Sequence, residues 1–188
     1  MVNQKNLEYV REEEEQLDKW TEDMITAIEN AAKDGDSVGG ILETVVTGVP
    51  AGVGEPWFDS LESVISHGLF SIPAIKGVEF GAGFGCSDMN GSQMNDHFQL
   101  EDGAITTKTN NNGGINGGIS NGMPLIFRCA VKPTPSISKE QNTVDFINGE
   151  EVELSVTGRH DPCIVPRAVP VIQAAAAIAL TDMLLDKK

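Results

Sequence analysis

The sequence is poor in the residues from which metal centres and disulfide frameworks are built. It has only three cysteines, Cys86, Cys129 and Cys163, and three histidines among its 188 residues. An odd number of scattered cysteines predicts free thiols in a reducing compartment such as the cytoplasm. Because no Cys or His residues stand at metal-ligand spacing, we expect no metal site.

Basic residues are also few. Thirteen Lys and Arg stand against 28 Asp and Glu, which gives a formal net charge of −15. Such a protein repels nucleic acid and anionic membranes, so we expect neither as a partner. The polar, acidic start of the chain lacks the pattern of a secretory leader or a membrane anchor. The acidic run at residues 12–15 suits the solvated start of a helix.

Long uninterrupted apolar runs are absent as well. The one long apolar tract, residues 169–185, is interrupted by Pro170, Gln173 and Asp182, which favours a buried helix over a membrane span. Hydrophobic residues make up 40% of the chain, enough for the core of one domain. We expect an acidic N-terminal segment with a first helix over residues 1–34, followed by a single domain over 35–188.

Periodicity in the sequence predicts both helices and strands. Helical spacing of apolar residues is found at about residues 17–33, 56–70 and 167–185. Patterns typical of strands are found at residues 37–49, 74–80, 123–131 and 150–156. The loop-rich stretch 81–121, with its many glycines, is expected to contain little regular structure.

The order of these elements determines the fold class that we predict. Strands and helices do not alternate in the rhythm of a parallel sheet, so we predict an α+β fold with one antiparallel sheet layered on helices. The last helix, with VIQAAAAIAL, is apolar nearly all round and should be covered on more than one side. The sequence offers no further element to cover it, which indicates a missing half or an oligomer.

Three segments have the composition of a ligand site, and the first is residues 110–122, NNNGGINGGISNG. Its paired glycines permit positive φ angles and let backbone N–H groups approach a flat or anionic ligand. It is not a P-loop, since no Gly-Lys-Ser/Thr follows. It is not a dinucleotide fingerprint either, since no strand leads directly into a helix. A flexible polar loop is the alternative.

The second segment is residues 132–136, KPTPS, directly after a predicted strand. Its two prolines fix the backbone, while Lys132, Thr134 and Ser136 offer one positive charge and two hydroxyls. These groups suit a phosphate or the polar edge of a flavin. A proline-stiffened turn without a ligand is the alternative.

The third segment is residues 158–170, GRHDPCIVPRAVP, in front of the predicted last helix. Arg159, His160, Asp161 and Arg167 lie close together there, and burial of so many charged groups requires specific partners. Pro162 biases Asp161 towards an extended conformation. A structural Arg–Asp pair that caps the helix is the alternative.

Together, and in this order, the three segments resemble the chorismate synthase family. GDSVGG at 35–40, GVPAGVGEPWFDSL at 48–61 and SIPAIKGVEFGAGF at 71–84 are also similar to that family. The resemblance therefore extends from about residue 35 to residue 185. Asn111 stands where some relatives have histidine. Family members are considerably longer, and their amino-terminal part contains basic residues, two histidines and a serine-containing flavin segment.

The resemblance implies a fold and a reaction. The fold is half of a β-α-β sandwich, in which a helical core lies between two antiparallel sheets. The reaction is that of a lyase of the shikimate pathway, in aromatic amino-acid biosynthesis. Phosphate is removed from 5-enolpyruvylshikimate 3-phosphate by anti-1,4-elimination, which yields chorismate. Reduced FMN is required as a transient electron donor without net redox change. Whether NADPH reduces the flavin in the same complex stays open.

The resemblance also implies roles for individual residues. The flavin-contacting positions are Pro73, Ala74, Gly117, Lys132, Pro133, Thr134, Pro135, Ser136 and Arg159. Asp161 matches a family carboxylate near the flavin, suited to handling a proton at a flavin nitrogen. The implied partners are further copies in a homo-oligomer or a separate N-terminal half. Two alternatives are open: an inactive flavin-binding or assembly module left by truncation, and an unrelated anion-binding protein.

Overall fold

The computed structural model describes residues 4–101 and 103–186, with side chains for residues 19–101 and 103–185. The chain divides into two compact units, each made of two separate stretches of sequence. We call them the hairpin unit (Met1–Val38 and Pro133–Ile164) and the sheet unit (Gly39–Lys132 and Val165–Lys188). The predicted boundary between residues 34 and 35 is a division of the sequence, and it stays a prediction.

Helices and strands occur in both units. The α-helices are α1 (Gln4–Lys33), α2 (Leu61–Phe70), α3 (Gly91–Met94) and α4 (Val165–Asp186). The strands are β1 (Gly40–Val46), β2 (Ile75–Phe80), β3 (Phe98–Glu101), β4 (Ala104–Thr107), β5 (Ile115–Asn116), β6 (Ile119–Ser120), β7 (Leu125–Val131), β8 (Gln141–Asp145) and β9 (Glu150–Leu154).

The sheet unit is built around a three-stranded antiparallel sheet in the order β1-β7-β2. In the central strand Leu125, Phe127, Cys129 and Val131 are buried, while the residues between them are half-buried or exposed. This period of two is what a sheet with one covered face requires. Burial raises the pKa of the Cys129 thiol to about 11, so this cysteine stays protonated and unreactive at neutral pH.

Two helices cover one face of that sheet. Helix α2 packs on α4 and on β2, and α4 also packs on β1. The buried residues Leu61, Ile65 and Leu69 of α2 recur at every fourth position and so form one stripe. The hydroxyl of Ser60 accepts a hydrogen bond from the N–H of Ser63 at 3.1 Å and caps the helix. The predicted arrangement of an antiparallel sheet with helices on one face is confirmed.

The last helix is covered on one side only. The buried residues of α4 are Ile172, Ala176, Ala179 and Leu180. On another side of the helix Val171, Ile178 and Leu185 are exposed, the last two by 71% and 74%. The second layer of cover that the sequence predicts is therefore not supplied by the part of the chain that the structure describes.

By length and composition alone, Val165–Leu185 would suffice to cross a membrane. A single such helix is weak evidence, because the core helices of globular proteins pass the same test. The buried stripe of α4 packs against α2 and β1. We therefore interpret α4 as a core helix with one uncovered side.

The hairpin unit consists of α1, the antiparallel hairpin β8–β9 and their connecting segments. None of its described side chains is buried. On α1, Trp20, Met24 and Ile25 are exposed although their spacing is helical. At the turn of the hairpin, Phe146 and Ile147 are exposed by 95% and 93%. As far as its side chains are described, the hairpin unit thus has regular secondary structure without a buried core.

The predicted last residues of the helices lie close to the observed ones, whereas the predicted first residues differ from those in the structure. Helix α1 ends at Lys33, as predicted, yet begins at Gln4 because residues 4–16 are rich in helix-forming Glu and Gln. Helix α2 begins at Leu61 rather than near residue 56. Trp57 lies exposed in a 3-10 turn, where its φ of +70° is incompatible with an α-helix.

The stretch 81–121 contains more regular structure than we predict from its sequence. It holds a 3-10 helix at Gly83–Asp88, the short helix α3 and the hairpins β3–β4 and β5–β6. Strands of two to four residues are too short to give a periodic pattern, so composition alone is misleading there. Strand β8 is missed as well, whereas the predicted strands at 37–49, 74–80, 123–131 and 150–156 are confirmed as β1, β2, β7 and β9.

Candidate functional site

A backbone hydrogen bond joins two predicted segments within the sheet unit. The N–H of Lys132, directly after β7, donates to the carbonyl of Ala74, directly before β2, at 2.9 Å. Because β2 and β7 are antiparallel neighbours, the start of one strand lies beside the end of the other. Pro73, Ala74 and Lys132 therefore lie at the same end of these two strands, where the Lys132 side chain is exposed.

Ala74 has a backbone conformation that is unusual for a residue with a Cβ atom. Its φ is +76°, in the left-handed region that glycine normally occupies. Such a conformation costs on the order of 1–3 kcal/mol and is found mainly where function fixes the geometry. The strained residue is one that the family resemblance indicates as a flavin contact.

The glycine-rich segment 110–122 is fixed at its base by the carboxylate of Asp96. One oxygen of Asp96 accepts hydrogen bonds from the Thr109 hydroxyl and the Asn111 N–H, both at 2.7 Å. The other oxygen accepts from the N–H and the side-chain amide of Asn112, at 2.9 and 2.8 Å. The side chain of Asn111 also donates to the carbonyl of Gln93 at 3.0 Å. These bonds describe a fixed segment rather than a flexible polar loop.

Close backbone packing explains why this segment needs glycine. Gly113 has a φ of +61°, and a Cβ atom there would lie 2.7 Å from the carbonyl oxygen of Ile126. Gly117, the predicted flavin contact, lies at the exposed turn of the β5–β6 hairpin. A Cβ atom at Gly117 would meet nothing within 4 Å, so the backbone at this turn is open to a ligand.

The segment 133–136 lies in the hairpin unit and directs one polar side chain inwards. Pro133, Pro135 and Ser136 are exposed, whereas Thr134 is half-buried. The Thr134 hydroxyl oxygen is buried and has no hydrogen-bond partner among the described residues. A buried hydroxyl without a partner is costly, on the order of 1–3 kcal/mol, and is therefore a natural contact for a polar ligand.

The Arg159 and Asp161 side chains differ in exposure. Arg159 is exposed and makes no ion pair with any side chain that the structure describes. Asp161 is half-buried, and its carboxylate accepts a hydrogen bond from the Cys163 N–H at 3.4 Å. The predicted alternative, an Arg–Asp pair, does not involve Arg159 within the described residues.

Arg128, another cation of the second half of the chain, is already paired. Its Nε atom lies 2.9 Å from a carboxylate oxygen of Glu79, its register partner across β2 and β7. Its guanidinium group also donates to the carbonyl of Gly81 at 3.2 Å. Arg128 therefore stabilises the sheet, whereas Lys132 and Arg159 present exposed positive charge.

Two clefts are found elsewhere on the surface. One, of about 600 Å³, lies along the β8–β9 hairpin and is lined by Asn142, Thr143, Val144, Glu151, Val152 and Glu153. The other, of about 140 Å³, lies between β1 and α4. Neither cleft is lined by a predicted site residue.

Within the sheet unit, the glycine-rich segment and the two strand ends present backbone groups and one lysine side chain on an antiparallel α+β scaffold. The sequence profile of the family described as chorismate synthase matches residues 3–185. This chain belongs to the chorismate synthase family.

Individual relatives agree with that assignment. Proteins named chorismate synthase from Thermococcus kodakarensis and Methanosarcina acetivorans are 52% and 55% identical to this chain over 89% and 87% of its length. The matching regions are the C-terminal parts of those relatives and 47% and 45% of their lengths. This chain therefore spans about half the length of the relatives that it matches.

A solved structure confirms the fold class. A crystal structure of chorismate synthase superimposes with a TM-score of 0.71 at 34% identity, over 88% of this chain and 43% of the other. The α+β prediction, an antiparallel sheet layered on helices, is therefore correct. The prediction of the family, made from the segments at 110–122, 132–136 and 158–170, is confirmed by the profile and the relatives.

The structure also shows residues that sequence reasoning does not single out. Asp96 binds a segment 13 to 16 residues away, and no sequence pattern separates it from the chain's other acids. Ser37 lies within the family-like segment GDSVGG, and it contacts residue 134 across 97 residues of sequence. The positive φ of Ala74 has no sequence signal, because alanine is not typical of that conformation.

Proposed function

We propose that this chain acts in the formation of chorismate from 5-enolpyruvylshikimate 3-phosphate, with reduced FMN as the cofactor. It would do so together with an N-terminal half like that of its longer relatives. Membership of the chorismate synthase family supports the reaction. The observation that best supports the cofactor is the buried Thr134 hydroxyl of the segment KPTPS, which the described residues leave without a hydrogen-bond partner.

The residues present fit a planar ligand that carries a phosphate. In the sheet unit, Lys132 supplies an exposed positive charge. In the hairpin unit, Thr134 supplies a buried hydroxyl that has no hydrogen-bond partner among the described residues. The open turn at Gly117 and the left-handed backbone at Ala74 let main-chain groups approach a flat ring. We propose that Pro73, Pro133, Pro135, Ser136 and Arg159 complete the flavin contacts.

The proposed roles of the side chains follow from their charge and burial. When bound, reduced FMN supplies transient electron density for cleavage of the allylic C–O bond. Lys132 and Arg159 would hold anionic groups of cofactor and substrate. Asp161 would hold or accept a proton at a flavin nitrogen, and its half-buried position keeps it partly away from bulk water.

The N-terminal half is needed because proximity effects depend on both sides of a site. Holding reacting groups in place contributes up to about 7–11 kcal/mol to catalysis. This chain supplies about half the length of its relatives. We further propose a cytoplasmic protein that forms a homo-oligomer or pairs with a separate N-terminal chain.

An anaerobic reconstitution tests the proposed reaction. We expect this chain with reduced FMN and substrate to give little chorismate by absorbance. Addition of the N-terminal part of the Methanosarcina acetivorans relative should restore turnover. Weak FMN binding with no turnover in either case would favour the alternative, an inactive flavin-binding or assembly module. No binding of reduced FMN would contradict the proposed cofactor site.

The Asp161→Asn variant of the reconstituted enzyme tests the role of the carboxylate. If Asp161 handles a proton, turnover should fall by about 10²–10⁴-fold while FMN binding and the melting temperature are kept. Glu153→Gln, which removes an exposed acid of β9, is the matched control. A lower melting temperature with a proportionate loss of activity would assign Asp161 to stability instead.

A further inference from the structure

Residues 35–38 connect two of the ligand-directed segments within the hairpin unit. The Ser37 hydroxyl donates to the carbonyl oxygen of Thr134 at 2.7 Å. The N–H of the next residue, Val38, donates to the carbonyl of Pro162 at 2.9 Å. The carbonyls of Thr134 and Pro162 therefore both accept hydrogen bonds from two adjoining residues, Ser37 and Val38.

The backbone around Ser37 is fixed without help from its side chain. The carbonyl of Gly35 accepts hydrogen bonds from the N–H groups of Ser138 and Lys139, both at 3.0 Å. The carboxylate of Asp36 accepts from the N–H of Ser37 at 2.9 Å and pairs with the Lys139 ammonium at 3.0 Å. Removing the Ser37 hydroxyl should therefore leave this segment in place and release only the Thr134 peptide.

The segment 133–135 has few other ways to be held. Pro133 and Pro135 lack a backbone N–H, so two of the three residues offer no main-chain donor. The carbonyl of Thr134 belongs to the peptide before Pro135, and it needs a donor from elsewhere. Ser37 supplies that donor from a position 97 residues away.

We propose that Ser37 is a positioning residue that sets the place of Thr134 relative to Asp161. Its hydroxyl fixes the Thr134 peptide and thereby directs at the ligand the Thr134 hydroxyl, which has no hydrogen-bond partner in the described part of the chain. Val38 fixes the peptide that follows Asp161 by one residue. The proposal rests on the proposed flavin function, which makes these two segments parts of one site.

Three variants of this chain separate positioning from stability. Ser37→Ala removes the donor, and Ser37→Thr keeps a hydroxyl. Ser138→Ala is the matched control, because the Ser138 hydroxyl donates to Gly35, at 3.3 Å, and does not contact Thr134. The dissociation constant of reduced FMN is measured under anaerobic conditions by titration, and thermal unfolding is measured on the same samples.

We expect Ser37→Ala to bind reduced FMN about 5- to 10-fold more weakly, because it loses the one hydrogen bond that holds the Thr134 peptide in place. Its melting temperature should match that of Ser138→Ala, and Ser37→Thr should bind FMN as the unchanged chain does. Equal FMN binding by Ser37→Ala and Ser138→Ala would overturn the proposal. So would a loss of binding accompanied by an equal loss of thermal stability.

A second measurement keeps the inference testable if the unchanged chain does not bind FMN, a result that would count against the proposed function. With ¹³C-carbonyl-labelled threonine, Ser37→Ala should shift the carbonyl resonance of Thr134, whereas Ser138→Ala should leave it unchanged. An unmoved Thr134 resonance in Ser37→Ala would refute the positioning role, whatever the result with FMN.

Discussion

The sheet unit and the hairpin unit reach their folds in different ways. All of the buried hydrophobic residues in the described part of the chain belong to the sheet unit. The hairpin unit has none, although it contains the longest helix and a regular hairpin. An isolated hairpin or helix is only marginally stable in water unless it buries an apolar face. The described side chains of the hairpin unit thus bury no apolar face of its helix or hairpin.

The two units also differ in which of the proposed ligand contacts they contain. The hairpin unit contains Thr134, Arg159 and Asp161, whereas the sheet unit contains Ala74 and Lys132. Rigid scaffolds usually carry functional loops on their surfaces. In the sheet unit, hydrogen bonds to Asp96 and close backbone packing at Gly113 fix the glycine-rich segment. In the hairpin unit, a hydrogen bond from Ser37, 97 residues away in sequence, fixes the peptide of Thr134.

Matched phenylalanine truncations test the largest difference between the two units. Phe127→Ala in β7 removes a fully buried ring and should lower the free energy of unfolding by about 3–5 kcal/mol. Phe146→Ala at the exposed hairpin turn should change it by less than about 0.5 kcal/mol. Urea unfolding followed by circular dichroism measures both. A comparable loss in Phe146→Ala would show that the hairpin turn is buried in solution.

Asp96 and Asp145 offer the same comparison for hydrogen-bonded carboxylates. Asp96→Ala leaves N–H groups of Asn111 and Asn112 without their acceptor and should cost about 1–3 kcal/mol in urea unfolding. Asp145→Ala, which frees the exposed turn of the hairpin, should cost less. An equal or larger loss in Asp145→Ala would contradict the difference between the units.

The pH dependence of the Asp96 effect has a definite sign. Burial by itself raises the pKa of Asp96, but hydrogen bonds from Asn112, Thr109 and Asn111 outweigh it and hold the pKa below its ordinary value. The stabilisation is therefore present above the unfolded pKa, about 3.9, and is lost as pH falls through the lower folded pKa. The difference between the unchanged chain and Asp96→Ala should shrink below about pH 4. A constant difference down to pH 2 would argue against the ionised carboxylate as the acceptor.

A substitution on the exposed side of α4 tests whether copies of this chain associate through the sheet unit. Val171, Ile178 and Leu185 are exposed along one side of α4, and we predict that this apolar side associates into a dimer or larger species. Ile178→Glu should raise the dimer dissociation constant tenfold or more, as seen by sedimentation at micromolar concentrations. Lys76→Glu is the control, because it also introduces a glutamate but at an exposed residue of β2, away from α4. A monodisperse monomer of the unchanged chain would contradict the prediction.

The smallest expected effect concerns backbone strain at Ala74. Ala74→Gly relieves a positive φ that costs on the order of 1–3 kcal/mol, against about 0.5–1 kcal/mol for the added flexibility of glycine. We expect a net gain of about 0.5–1 kcal/mol in the free energy of unfolding. Ala130→Gly, in the regular backbone of β7, should instead lose about as much. A loss in both variants would show that Ala74 is not strained.

The sequence by itself determines the family and the main sheet with its two helices. The segments at 110–122, 132–136 and 158–170 are specific enough to indicate the family without coordinates. The regular alternation in β7 and the four-residue spacing in α2 are visible because one face of each is buried. Short strands such as β5 and the capping of α2 at Ser60 cannot be predicted from a sequence pattern, because each depends on a few local hydrogen bonds.

Only the tertiary structure decides which polar residues support the candidate site. Asp96 and Ser37 act through hydrogen bonds to residues far along the chain, and neither has a periodic or compositional signal. Tertiary structure also decides that α4 is apolar on a side that nothing in the described chain covers. The physical reason is that sequence patterns report which groups avoid water, whereas partners of individual polar groups depend on which segments meet in space.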